Sequence, residues 1–135
     1  MPDTAPLVST KQANCAAVAT ASDLETKIGE APFAGSVTRV AYVPTSAITG
    51  ANTESRTLQL FNRGQDGTGT VKVAELAMVS GVNAAADDAK AVTIITAADA
   101  DDVVAGDVLE WKSLHVGSTG LADPGGLAVV EITRS

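Results

Sequence analysis

Chemistry in this chain would have to begin at His115, its sole histidine, or at Cys15, its sole cysteine. A nucleophilic triad needs a base beside a hydroxyl or thiol and a third group to orient that base. The sequence neighbours of His115, from Trp111 to Gly117, instead suggest the end of a strand. One cysteine makes neither an internal disulfide nor a thiolate metal cage. Asp99, Asp101 and Asp102, or Asp87 with Asp88, carry oxygens suited to calcium, yet no ordered D-x-D-x-D-G loop with a closing Glu surrounds them. A glycosidase needs two carboxylates across an aromatic-lined cleft, and the chain has only Phe33, Tyr42, Phe61 and Trp111 to line one. None of the glycine-rich stretches forms a phosphate-binding loop or a dinucleotide turn, and Gly64-Gln65-Asp66-Gly67 reads as turn geometry. We therefore expect no catalytic residue, no cofactor and no metal.

Charge points the same way. Nine Lys and Arg against sixteen Asp and Glu give a formal charge of −7, which repels phosphate backbones and anionic membranes. Arg39, Arg56, Arg63, Lys72, Lys90 and Lys112 are scattered, with no stripe to follow a nucleic acid. No apolar run approaches the ~20 residues that span a bilayer. Nucleic acid and membrane are not expected partners, and synthesis is expected in the cytoplasm.

The elements that would position these residues are strands. In 135 residues, enough for one domain, no segment keeps the 3.6-residue apolar period for three turns. Period-two alternation predicts strands over 36–43, 56–62, 70–79, 90–96, 107–116 and 127–134. Leu58 with Leu60, Val92 with Ile94, Leu109 with Trp111 and Val130 with Ile132 give inward rows. In the third strand the apolar parity changes between Val73 and Leu76, which predicts a bulge near Ala74 or Glu75. The segment 62–69, with an Asp-Gly step, should reverse the chain between antiparallel neighbours, 99–107 should cross the surface, and 117–126 should be a long exposed loop. The architecture expected is all-β: an antiparallel β-sandwich or small barrel with Greek-key or jelly-roll connections.

Residues 1–34 read differently. Ser, Thr, Ala and three prolines dominate, so the segment is expected as an extended N-terminal arm ahead of a sandwich over 35–135, with Ser22-Asp23-Leu24-Glu25 starting a short helical turn. Its scattered apolar residues Leu7, Val8, Leu24, Ile28 and Phe33 are the candidate contacts to a partner, gaining order on binding.

Several stretches, taken in order, resemble the small head decoration proteins of tailed bacteriophages. They are Gly35-Ser36-Val37-Thr38-Arg39-Val40-Ala41-Tyr42-Val43-Pro44, then Arg56-Thr57-Leu58-Gln59-Leu60-Phe61-Asn62-Arg63-Gly64, then Ala86-Asp87-Asp88-Ala89-Lys90-Ala91-Val92-Thr93-Ile94, Gly106-Asp107-Val108-Leu109-Glu110-Trp111 and Asp123-Pro124-Gly125-Gly126-Leu127-Ala128-Val129-Val130-Glu131-Ile132. The resemblance covers roughly residues 35–135. It implies a structural virion protein, non-enzymatic, on the outer capsid surface, partnered by the major capsid protein and by itself as a homotrimer. Two other readings share the fold: another virion subunit such as a tail tube or head fibre, and a carbohydrate-binding or adhesin-like sandwich.

Overall fold

A computed structural model describes residues 7–135, and within them the chain is all-β apart from one 3-10 turn at Ala97–Asp99. The strands are β1 (Val8–Cys15), β2 (Leu24–Glu30), β3 (Gly35–Pro44), β4 (Ser55–Asn62), β5 (Val71–Ala77), β6 (Lys90–Ala91), β7 (Thr93–Ile94), β8 (Asp102–Val103), β9 (Val108–Val116) and β10 (Gly126–Arg134). They form two antiparallel sheets. The first runs β1-β10-β3-β6, with β8 also on β3, and the second runs β2-β9-β4-β5-β7. The chain stays within one sheet only at the β4–β5 connection and crosses between sheets at every other one, so each face of the core draws on distant parts of the sequence.

Period two explains the core. Val40 and Tyr42 on β3, Leu58 and Leu60 on β4, Leu109 and Trp111 on β9, and Ala128, Val130 and Ile132 on β10 all point inward and are buried. Tyr42 from one sheet stacks on Trp111 from the other at 5.5 Å between centroids, tying the two layers at their middle. Such a pair adds about 0.5–1.5 kcal/mol beyond its area burial. Most other inward residues are aliphatic, as a chain rich in Val and Ala requires.

The first 34 residues are where the sequence reading needs correction. β1 pairs with β10 over eight residues and β2 pairs with β9, so both belong to the sandwich and no domain boundary falls at 34. No helical turn forms at Ser22–Glu25. Leu24, Thr26 and Ile28 alternate with exposed Glu25 and Lys27, and period two together with β-branching outweighs the local capping signal. An extra residue at Ile28 makes a bulge against β9, where Gly29 adopts φ +145°. Residues 1–6 of the expected arm lie outside the described residues.

Three smaller differences follow from local packing. The bulge in β5 falls at Val73, because Leu60 pairs with Ala74 and Phe61 with Lys72, so Val73 and Ala74 are both buried. The strand expected over 90–96 divides: β6 joins the first sheet and β7 the second, with buried Val92 between them. The loop 117–126 is exposed only in part. Its Gly120, Asp123 and Gly125 are buried, for the reason that follows.

Candidate functional site

The inward parity of β4 and β9 carries polar residues at one end. Arg56 precedes Leu58 and Leu60, and Ser113 follows Leu109 and Trp111, so both enter the interior; Arg56 and Ser113 are fully buried. Burial pulls the Arg56 guanidinium below its usual range, and nearby Asp123 opposes this. Every nitrogen of Arg56 has a partner. Nε donates to Leu121 O (2.6 Å), Nη1 to Ser113 Oγ (3.1 Å), and Nη2 to Ser22 O (2.9 Å) and Ala19 O (3.4 Å).

Asp123 completes this knot. Its carboxylate accepts from Tyr42 Oη (2.6 Å), Ser113 Oγ (2.7 Å) and the Gly125 N–H (2.9 Å). Burial, then the hydrogen bond to Asp123, drive the Tyr42 phenol far above its ordinary value. Gly125 adopts φ +86°, and a Cβ there would meet Cys15 O at 2.9 Å, so glycine lets the loop lie flat against the strand end. The knot thus joins β3, β4, β9, the 117–126 loop and the 16–23 connection. Its donors and acceptors are consumed internally, leaving none aimed at a ligand. Cys15 lies beside it, buried, and burial followed by the Asp123 charge pushes its thiol up to about 11. Such a thiol stays protonated and unreactive near neutral pH.

His115 sits at the exposed end of β9. Asp23 Oδ1 accepts from its backbone N–H (2.8 Å) and meets ring Nδ1 at 2.7 Å, and the backbone bond foremost holds the Asp23 carboxyl below its usual value. This is an oriented acid–base pair of the kind that could activate a hydroxyl. The hydroxyls close by in sequence are otherwise engaged: Ser118 Oγ and Thr119 Oγ1 both donate to Glu54, at 3.0 Å each. Glu54 also takes the N–H groups of Gly120 (2.6 Å) and Thr119 (2.8 Å), which bring its carboxyl down to about 2. The pair and the clasp are therefore loop fasteners. Among the described residues no group of three His, Cys, Asp or Glu converges as a metal site. No helix among them is long and apolar enough to cross a membrane.

The second sheet's outer face holds another carboxylate, Glu110, whose side chain is 3% exposed. Lys27 bonds it directly, and Arg63 and Lys112 stand at 3.8 and 4.0 Å. Lys112 also lies over the Phe61 ring, 4.7 Å from its centroid. Two open hollows also mark the surface of the described residues. One of about 500 Å³ is lined by Ala47, Ile48, Ala84, Ala85 and Lys90, and one of about 340 Å³ by Asn14, Val43, Pro124 and Leu127. Trp111 and Tyr42 are wholly buried, so neither offers an exposed platform for a sugar.

The five candidate contact residues separate. Leu24, Ile28 and Phe33 pack against the protein's own core, while Leu7 and Val8 remain 47% and 48% exposed where β1 begins. The Arg56–Asp123 knot was not anticipated, although parity with Leu58 and Trp111 signals that Arg56 and Ser113 face inward. Fold and knot together define a two-sheet sandwich with loop ends fastened by internal polar contacts. Comparison with protein-family models, with curated proteins and with solved structures finds no match.

Proposed function

We propose that this chain is a structural virion protein that binds and reinforces the outer surface of a tailed-phage capsid. The observation that carries the reading is the exposed apolar pair Leu7–Val8 at the start of an edge strand on a scaffold whose loops are fastened internally. A cement of this kind needs a stable body and an apolar contact left uncovered in the free protein. The resemblance noted above supports the same reading: its stretches supply β3, β4, β9 and β10, the four long strands at the centre of the two sheets.

The test is binding of purified protein to empty capsids that lack it, followed by sedimentation. Deleting 1–34 would remove two strands, so the informative variant is Leu7→Asp with Val8→Asp. It should keep the wild-type melting temperature within a few degrees and lose capsid binding. Undiminished binding would move the contact elsewhere on the sandwich, and wild-type protein that fails to bind capsids would end the reading. Labelling on the tail instead of the shell would favour the tail-tube alternative.

A further inference from the structure

Residues 7–18 stand apart from the rest of the sandwich in where their backbone hydrogen bonds go. Of β1 only Cys15 is buried, and all eight of its residues pair with β10 without a bulge. Leu7 O accepts from Arg134 N–H (2.8 Å), and Val18 exchanges two backbone bonds of 2.9 Å with Asp123. The inter-element backbone bonds of 7–18 thus go to one short region, 123–134. The connection that follows, Ala19–Ser22, is exposed throughout, and within it Ala21 is held at φ 63°, a left-handed conformation that an L side chain rarely adopts. Beyond it, β2 is anchored separately, to β9 of the other sheet.

We infer that residues 7–18 exchange between copies of this chain, so that β1 of one copy completes the first sheet of another. The occupant of the β10 edge is then the same strand in either state, and every β1–β10 and Val18–Asp123 bond is remade. What differs is the connection. Extending it through Ala21 releases the left-handed residue at the expense of the Ala21 N–H bond to Thr119 O and the Ser22 N–H bond to Ala19 O, while Arg56 keeps its bond to Ser22 O, which stays with its own copy, and gives up the longer one to Ala19 O. Exchange of identical elements is a low-cost route to association because nothing new need be buried, and it closes into a ring of any small number. The inference does not depend on the capsid reading.

Disulfide trapping tests it. The Leu7–Arg134 bond sets the phase of the ladder, so Thr10 and Glu131 form a non-hydrogen-bonded pair, whose Cα atoms lie about 4.5 Å apart, within disulfide range. Thr10→Cys with Glu131→Cys, made in a Cys15→Ala background, should run as a covalent multimer on a non-reducing gel. Asn14→Cys with Leu127→Cys reads the same contact a second time. Light scattering of the wild-type protein should give more than one chain per particle, and Ala21→Gly should lower the associated fraction by about fivefold by relaxing the closed form. A monomeric wild-type protein overturns the inference, as do bridges that form only within single chains.

Discussion

Asp123 and Glu110 are both buried carboxylates, yet their surroundings are opposite. Asp123 lies inside the sandwich among groups that are themselves buried: a phenol, a hydroxyl and a backbone N–H, with Arg56 one bond further on. Glu110 lies on an outer sheet face beside three cations, and Lys27, the one that bonds it directly, is 62% exposed. A partner in water can leave and be rehydrated, whereas a buried partner left alone keeps its desolvation cost. The same residue chemistry therefore fixes the architecture in one place and merely tolerates it in the other.

The comparison breaks first at Asp123. Asp123→Ala would strand Tyr42 Oη, Ser113 Oγ and the Gly125 N–H, and should cost about 3–5 kcal/mol, read as a fall in the urea midpoint. Trp111→Ala should cost a similar amount, about 3–5 kcal/mol, by opening a cavity beneath Tyr42. Wild-type stability in the first variant would mean that the knot is ornamental. Tyr42→Phe removes one donor from Asp123, keeps the stacked ring, and should cost about 1–2 kcal/mol.

Alkali sharpens the contrast. The thiol of Cys15 and the phenol of Tyr42 both have folded-state values above their ordinary ones, so folding favours their protonated forms. Their contribution is whole below about pH 9 and declines as pH rises toward 11, where the unfolded chain ionises first. Chemical denaturation across pH 8–11 should show this decline, and Cys15→Ala should flatten its lower part. At the bottom of the scale stands Lys27→Ala: the lysine is itself exposed, and Arg63 and Lys112 stay beside the buried Glu110 carboxylate, so the loss should be about 1 kcal/mol. A loss as large as that of Asp123→Ala would erase the distinction between the two carboxylates.

The central strands were legible in the sequence because each carries an inward apolar row: Leu58 and Leu60, Leu109 and Trp111, Val130 and Ile132. β1 was not, because Ser9, Lys11 and Ala13, which alternate with exposed Val8, Thr10, Gln12 and Asn14, form no apolar row. At β2 the pattern was present in Leu24, Thr26 and Ile28, but Ser22 and Glu25 also spelled a helix start, and only the tertiary pairing with β9 decides between them. The knot was half legible. Parity places Arg56 and Ser113 inside, whereas the arrival of Asp123 from a glycine-rich loop depends on how that loop folds back, which no local pattern encodes.

The pairing of β1 with β10 has a consequence for the order of events during synthesis. Of the described strands, the one made earliest has as its sheet partner the one made latest, more than a hundred residues later. Until β10 emerges, β1 has no edge to join, and closure of so long a loop is slow compared with the hairpin of β4 and β5. The chain therefore passes through an interval in which its sheets are assembled around an unfinished margin, and how crowded its neighbours are during that interval bears on which strand completes it.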